Sequence, residues 1–308
     1  MRQGEVAPRG KWIGQAQGGV SAPDPLILPD PTTKFADIAA RLEALAAGHP
    51  MEAWLRFMAR LAEAQHDATR RLAPLPPDLP GVERAVEERT PPIAAETHRR
   101  EPAWRNGLTA ILDAVREAPL PGAARRVVAG LRHSDSAEVE ALADAFLRGS
   151  VPAAQAGEGL YVAAALQVYF THLAASLPAE RLRLLPQRGL CPCCGSTPVA
   201  SLVTASGKTQ GTRYLHCSLC ATAWNHVRAV CIHCGGSRGM ALKGIEGDSG
   251  AVKAETCDDC RTYVKTLYQA RDTKVDPVAD DLATLTLDLL VAEAGWARHA
   301  PNPLLLLR

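Results

Sequence analysis

Nine cysteines constrain the fold of this chain more than any other feature, because all of them lie between Cys191 and Cys260. Eight of them form four C-x2-C pairs, and the ninth, Cys193, lies inside the first pair. Each cysteine of the first two pairs recurs in the last two at one constant interval, which indicates two copies of one structural unit. The paired cysteines are Cys191, Cys194, Cys217 and Cys220 in the first copy and Cys231, Cys234, Cys257 and Cys260 in the second.

The spacing within each unit is typical of a mononuclear metal site. A C-x2-C knuckle directs both sulfurs at one point, and the glycines after Cys194 and Cys234 permit the positive φ that such a turn needs. The stretches 195–216 and 235–256, which separate the two knuckles of each unit, are equal in length and long enough for two strands and a turn. Four thiolates brought together in this way form the tetrahedral site of structural zinc or of rubredoxin-type iron.

Zinc and iron are not distinguished by these residues. Ala221 and Arg261 follow the second knuckle of each unit, where a rubredoxin has glycine, and backbone N–H groups near the sulfurs tune the properties of iron. A unit of about 40 residues needs a metal to fold whichever ion it holds. The sequence therefore predicts two metal sites and leaves open both the ion and whether it is redox-active or structural.

Disulfide bonds are the first alternative for so many cysteines, and other features argue against them. The N-terminal segment 1–11 is charged, no apolar signal segment follows it, and no stretch is apolar enough to cross a bilayer. We therefore expect a cytoplasmic protein without membrane insertion. Thiols stay reduced in that compartment, and spaced cysteine pairs there indicate metal binding or redox chemistry.

Two ways of pairing the four knuckles are compatible with the spacing. Sequential pairing would join Cys191 and Cys194 with the knuckle at 217–220, and would join the last two knuckles in the same way. Cross-braced pairing would join the first knuckle with the third and the second with the fourth. Duplication of one unit favours the sequential arrangement, because each copy then forms its own site.

The rest of the chain is predicted to be mainly helical, which gives an α+β protein. A helical N-terminal domain precedes two tandem rubredoxin-like or zinc-ribbon four-cysteine modules and a C-terminal helix. In that helix Asp276 is the expected N-cap, and Leu282, Leu285 and Leu289 share one face. The predicted regions are an extended arm at 1–30, the helical domain at 31–186 with a proline-rich crossing segment at 73–102, the modules at 187–229 and 230–275, and the C-terminal helix and tail at 276–308.

The proline-rich segment and the C-terminal helix carry two further expectations. Seven prolines within residues 73–102 predict that this segment crosses between helices and does not itself form a packed element. The C-terminal helix is expected to pack on the helical domain or to brace the cysteine-rich modules.

Three segments of the cysteine-rich region resemble the FdhE family of formate dehydrogenase accessory proteins. They are CPCCGS at 191–196, RYLHCSLC at 213–220 and ETCDDCRTYVK at 255–265. The helical N-terminal region and the total length are also similar to that family, so the resemblance covers most of the chain. Its specificity comes from the cysteine-rich third.

This resemblance implies a cytoplasmic assembly factor for respiratory formate dehydrogenase. Such a protein binds the catalytic, molybdenum-containing subunit before that subunit is exported by the twin-arginine pathway. It is similar to rubredoxins in binding iron at four-cysteine sites, and all eight cysteines of the two repeats match the ligand positions. The resemblance therefore implies two mononuclear iron sites, with zinc as the alternative ion.

The main alternative function is a double zinc ribbon that binds nucleic acid or is purely structural. Residues 187–275 hold 11 Lys and Arg against 6 Asp and Glu, and the negative charge of two four-thiolate centres offsets part of this excess. A phosphate-binding domain needs a clearer basic stripe, and the few aromatic residues are too scattered to stack on bases. An enzyme is not expected either, because filled four-thiolate sites offer no open coordination position.

A partner-binding surface is predicted beside the second knuckle of each unit, where tyrosine and basic residues cluster. Tyrosine and arginine often anchor interfaces, although strand packing is an equally good explanation here. The residues are Arg213, Tyr214, Arg261, Tyr263 and Lys265. An acidic group formed by Glu255, Asp258 and Asp259 would be a second docking site, suited to a basic signal segment, if it is not simply solvated.

Three residues beside the knuckles are expected to be outside the metal sites. Cys193 is predicted to be a non-ligating, partly exposed thiol, with exchange into the site on oxidation as the alternative. His216 and His233 adjoin or lie inside knuckles. Because each site already has four cysteines, both histidines are expected to support the site or to lie on the surface.

Overall fold

Helices form the first half of the computed structural model, which describes residues 22–73, 75–117, 120–206, 210–300 and 302–305. Helix α6 begins with a capping box, in which Asp135 accepts a hydrogen bond from the backbone of Glu138 and Glu138 accepts one from the backbone of Asp135. The helices are α1 (Lys34–Ala46), α2 (Glu52–Arg71), α3 (Leu79–Glu88), α4 (Ala103–Arg116), α5 (Gly122–His133), α6 (Ser136–Leu147) and α7 (Ala156–Ala175), with a 3₁₀ turn at Ala153–Gln155.

Helix α7 is the centre of this helical domain. It is buried around most of its circumference, as expected for a helix that is apolar on all sides. Helices α2, α4 and α6 pack against it. Two buried glutamines form a hydrogen bond between α2 and α7. The side-chain amide of Gln65 donates to the side-chain oxygen of Gln167 at 3.0 Å. The domain therefore has a single apolar core with a polar chain inside it.

The proline-rich segment is packed, and our prediction that it holds no packed element is wrong. It contains α3, with Pro80 in the first turn, where the missing N–H has no helical partner to lose. Val82 and Ala85 of this helix are buried. Beyond it, the backbone N–H groups of Ile93 and Ala95 donate to the carbonyls of Cys193 and Cys194 at 3.0 and 2.9 Å. The segment thus joins the helical domain to the first cysteine knuckle.

The cysteine-rich region supplies most strands of an eight-stranded sheet within the described residues. Its strand order is β1-β4-β3-β2-β7-β6-β5, and the short β8 also pairs with β7. The strands are β1 (Leu26–Ile27), β2 (Pro198–Val203), β3 (Arg213–Cys217), β4 (Ala223–Asn225), β5 (Met240–Lys243), β6 (Val252–Cys257), β7 (Thr262–Tyr268) and β8 (Ala297–Arg298).

Each module contributes an antiparallel three-stranded meander, and the two meanders join head to tail. The first supplies β4-β3-β2 and the second supplies β7-β6-β5, in the same sequential order. They meet where β2 and β7 pair in parallel, with Ser201 opposite Thr266 and Leu202 opposite Leu267. The duplication seen in the sequence is therefore also a repetition of sheet structure.

The predicted N-terminal arm falls partly outside the described residues, which begin at residue 22. Its described part is extended where Leu26 and Ile27 form β1 and pair with Trp224 and Ala223 of β4. This strand covers one end of the sheet.

The C-terminal helix is divided into α8 (Ala279–Ala283) and α9 (Leu285–Glu293). The N-cap position is Val278 and not Asp276 as predicted, but Asp276 Oδ1 accepts hydrogen bonds from the backbone N–H groups of Val278 and Ala279 at the start of α8. The predicted apolar face is wrong, since Leu282 is buried whereas Leu289 is 66% exposed. The change of backbone direction at Thr284 rotates the two short helices relative to each other.

Both packing partners proposed for the C-terminal region are found. Towards the helical domain, Lys34 pairs with Asp276 at 2.8 Å and Arg41 pairs with Asp280 at 2.6 Å. Towards the second module, the fully buried Nζ of Lys265 on β7 lies 2.6 Å from an oxygen of Asp288. The C-terminal segment therefore connects the second module to the first half of the chain.

Candidate metal centres

Two groups of four cysteines lie close enough together to hold a metal ion, among the residues that the structure describes. Within each group all four sulfurs lie within 4.8 Å of one another. The knuckles combine in the sequential arrangement that the duplication favours, so each module forms its own group. The first centre consists of Cys191, Cys194, Cys217 and Cys220, and the second consists of Cys231, Cys234, Cys257 and Cys260.

The sulfur spacing fits a single tetrahedral ion in each centre. In the first, the Sγ atoms of Cys194 and Cys217 are 3.4 Å apart, and in the second the equivalent Cys234 and Cys257 are 3.7 Å apart. Metal–sulfur bonds of about 2.3 Å in a tetrahedron place sulfurs about 3.8 Å apart. Four thiolates are ligands that both zinc and iron accept, so the donor set fits either ion.

The knuckle turns have the same geometry in both repeats. Gly195 and Gly235 have φ of +77° and +74°, and their N–H groups donate to the carbonyls of Cys191 and Cys231. At the second knuckles Ala221 and Arg261 also have positive φ, near +57° and +55°, although they carry side chains. The absence of glycine at these two positions therefore leaves the turn intact and adds local backbone strain.

A threonine contact in each centre was missed by our sequence reasoning. The hydroxyl of Thr222 lies 3.2 Å from Cys220 Sγ, and that of Thr262 lies 3.1 Å from Cys260 Sγ. The signal was present, because the two threonines occupy equivalent positions of the repeat. Burial raises the pKa of Cys260, but hydrogen bonds with Thr262 and with the neighbouring cysteines Cys231 and Cys257 together lower it to about 7. A thiol that ionises readily binds metal more easily at neutral pH.

The two centres differ sharply in burial. All four cysteines of the first centre are buried. In the second, Cys231 and Cys257 are buried, Cys234 is exposed and Cys260 is half-buried. Two of the four pairs of equivalent ligands, Cys194/Cys234 and Cys220/Cys260, therefore differ in their access to solvent.

The helical domain covers the first centre from two sides. On one side, the backbone of residues 93–95 donates to the first knuckle. On the other, the side-chain amide of Gln167 on α7 donates to the carbonyl of Ser218, inside the second knuckle, at 2.8 Å. The cysteines of this centre belong to the same apolar core as α2 and α7. The first centre is thus part of the main core of the protein.

The second centre borders an open cleft of about 690 Å³. Cys231 and Cys234 lie on its wall, together with three histidines. These histidines are His226, His233 and His299. Exposed Val227 also lines the cleft, so its surface is partly apolar. A partner molecule can approach the second centre from this side without opening the core.

The partner surface that we predicted beside the knuckles is wrong for four of its five residues, because their side chains are buried. Arg213 lies 3.1 Å from Glu255, and the Tyr214 hydroxyl donates to the carbonyl of Asp24. Tyr263 and Lys265 both bind Asp288 beneath α9. Arg261 alone among the five is exposed. Strand residues that looked free in the sequence are covered by segments far away in the chain.

Two other expectations are corrected by burial. Glu255 is paired with Arg213 inside the sheet, so it cannot belong to an exposed acidic group, whereas Asp258 and Asp259 are exposed. Cys193 is not partly exposed as predicted. Its side chain is fully buried, and it belongs to neither group of four cysteines.

The two histidines beside the knuckles are outside both cysteine groups. Burial lowers the pKa of His216 to about 3, so its ring stays neutral at physiological pH. His233 is exposed, and its ring centroid lies 5.3 Å from that of His299.

Comparison with known proteins gives matches along nearly the whole chain. The FdhE N-terminal family matches residues 23–186, the FdhE central domain matches 190–228 and the FdhE C-terminal domain matches 229–305. A protein FdhE homolog of Edwardsiella ictaluri is 42% identical over 307 residues, covering 97% of both chains. Protein FdhE of Shigella boydii is 36% identical over 283 residues, covering 91% of both.

A solved structure agrees with these matches. The crystal structure of the FdhE protein from Pseudomonas aeruginosa superimposes with a TM-score of 0.82 at 35% identity. The match covers 91% of this chain and 98% of that one. Both the fold and the sequence relationship therefore extend over the helical domain and both cysteine modules, and this chain belongs to the FdhE family.

Proposed function

We propose that this protein is a cytoplasmic assembly factor that binds the catalytic subunit of respiratory formate dehydrogenase before that subunit is exported. Each of its two four-cysteine centres holds one iron ion in a rubredoxin-type site. Membership of the FdhE family supports the assembly role, and the tetrahedral grouping of thiols supports the metal sites.

The observation that carries this proposal is the different exposure of two otherwise equivalent centres. A structural ion is held equally well by buried ligands, so the burial of only one centre favours different roles for the two. Here the first centre is embedded in the core, whereas the second has an exposed ligand, Cys234, beside an open cleft. We assign the first centre to stability and the second to the contact with the partner.

The surface of the modules supports a protein partner in preference to nucleic acid. The excess of Lys and Arg in residues 187–275 includes Arg213 and Lys265. Both side chains are buried beside carboxylates. The basic charge available to phosphates is therefore smaller than the composition indicates. Each centre also has all four positions filled by sulfur, which leaves no open site for catalysis, so we propose no turnover chemistry.

None of the helices in the described part of the chain is both long and apolar enough to cross a membrane.

Binding to the catalytic subunit is the first test of this function. We expect the purified, metal-loaded chain to bind the purified catalytic subunit of a respiratory formate dehydrogenase with a dissociation constant of about 1 μM or tighter, as for a specific protein complex. Biolayer interferometry measures this directly. The catalytic subunit of an unrelated molybdenum enzyme is the control and should bind at least tenfold more weakly, a ratio of about 1.4 kcal/mol.

Two results would count against the proposal. One is the absence of binding when the subunit is present at about 50 μM, well above the expected constant. The other is equal binding to both subunits. A duplex DNA fragment in the same assay tests the nucleic-acid alternative, which predicts binding that falls steeply as salt increases.

A further inference from the structure

Strand β5 forms an open edge of the described sheet. It pairs with β6 on one side only. Ala241, Leu242 and Lys243 are exposed, and Leu242 retains half of its accessible surface. Soluble proteins usually cover or charge such an edge, because its free N–H and C=O groups can pair with another strand. The short length of β5 and the charge of Lys243 reduce this tendency but do not cover the backbone.

The duplication shows how the same edge is used in the first module. In the first module, Ser201 of β2 lies opposite Leu215 of β3. Glu255 of β6 is the residue that corresponds to Leu215 in the repeat, and Leu242 of β5 lies opposite it. Leu242 therefore occupies the position of Ser201. In the first module this edge is covered by β7, which runs parallel to β2 and places Thr266 beside Ser201, with their hydroxyl oxygens 2.7 Å apart.

Backbone N–H and C=O groups of β5 are directed towards the open edge, as the same pairing requires. Gly239 accepts a hydrogen bond from the backbone N–H of Asp258, so this opposed pair of residues is hydrogen-bonded. Hydrogen-bonded pairs alternate along an antiparallel ladder, which directs the N–H and C=O of Met240 and Leu242 away from β6 and into the open edge. On β2 the carbonyl of Val203 points to the equivalent side and accepts from Gln269 at 3.1 Å.

We propose that an extended segment of the catalytic subunit adds to β5 as a parallel strand, as β7 adds to β2. This inference rests on the proposed function, because it names the surface through which that partner binds. The segment carries an apolar residue beside Leu242, which is half exposed without it. Because Met240 at the start of β5 lies opposite Cys257, a parallel strand would start at the end of β5 that is nearest the second centre.

A second copy of this chain is a poorer occupant of the edge. Two β5 strands related by a two-fold axis would pair antiparallel, whereas the first module uses a parallel partner. The strand that fits this edge in the first module, β7, is already paired by β2 on one side and β6 on the other. Recognition of an extended segment by an open sheet edge is a general mode of peptide binding.

Two substitutions at one residue test the proposal in the full, metal-loaded chain. Leu242→Pro removes an N–H that points into the open edge and spares the bonds to β6. Leu242→Lys places a charge there instead. We expect both to weaken binding to the catalytic subunit about tenfold or more, from lost backbone hydrogen bonds and apolar contact. Leu289→Lys is the matched control, because Leu289 is an exposed leucine on α9 and should bind within about twofold of the wild type.

Hydrogen exchange of the complex gives a readout that does not depend on substitution. The amide N–H of Leu242 should exchange at least about tenfold more slowly in the complex than in the free chain. Unchanged affinity of both Leu242 variants, or unchanged exchange, overturns the strand-addition proposal while leaving the proposed function standing. A change in oligomeric state on Leu242→Pro also overturns it, in favour of self-association. Failure of the wild type to bind overturns the proposed function and this inference together.

Discussion

A chelator added to the metal-loaded protein will remove one of its two ions at least about 100-fold faster than the other. This ratio corresponds to a difference of about 2.7 kcal/mol in the free energy of opening the two centres. The fast ion is that of the second centre, where Cys234 is exposed and Cys260 is half-buried. The slow ion is that of the first centre, where all four ligands are buried. Release from the first centre requires the core between α2, α7 and the knuckles to open.

The measurement uses protein loaded with zinc, so that a colorimetric chelator reports release of each ion at neutral pH. The variant Cys257→Ser disables the second centre and should show the slow phase alone. Release of both zinc ions from the wild type in a single kinetic phase would contradict the account, because it would mean that the two centres open together. Equal amplitudes of the two phases are expected, since each module holds one ion.

Removing one ligand from each centre will have very unequal effects on folding. Cys217→Ser and Cys257→Ser are matched variants, because the two cysteines occupy equivalent places in the repeat. A four-cysteine zinc site contributes about 10–16 kcal/mol to folding of the unit that holds it. That is comparable with the whole stability of a domain, about 5–15 kcal/mol.

Cys217→Ser is therefore expected to unfold much of the chain, because the first centre shares its core with the helical domain. Cys257→Ser should disorder the knuckles of the second module and leave the helices folded, since the cysteines of the second centre lie outside the core that the helices share with the first centre. Circular dichroism at the helical wavelength, followed through heating, distinguishes the two. Loss of most helical signal at room temperature is expected for Cys217→Ser only. Equal melting curves for the two variants would show that the modules do not differ in this way.

The ligand sets and their grouping could be predicted from sequence because they depend on local rules. A C-x2-C turn fixes two sulfurs by backbone geometry, and the internal repeat indicates which knuckles belong together. Thr222 and Thr262 follow the same repeat and were accessible to the same reasoning. The start of helix α6 depends on a local signal of the same kind, because Asp135 and Glu138 form its capping box within a single turn of chain.

What the sequence could not show depends on contacts between distant segments. Arg213 and Lys265 look like surface residues beside the knuckles, but Glu255 and the C-terminal helices bury them. The parallel pairing of β2 with β7 joins two modules whose local patterns are equally compatible with independent units. The packing of residues 93–95 on the first knuckle likewise depends on the path of the whole helical domain. The difference between the two centres arises from these contacts and has no local signature.

Metal analysis of the anaerobically purified chain tests the central claim most directly. We expect two metal ions per chain for the wild type and one for Cys257→Ser, because the sulfurs form two separate groups of four. Iron should be the main ion, with a visible absorption band once it is oxidised in air. Two zinc ions in a colourless sample would contradict the iron assignment alone. Fewer than one ion per chain, or loss of both ions in Cys257→Ser, would contradict the claim that each module holds its own metal centre.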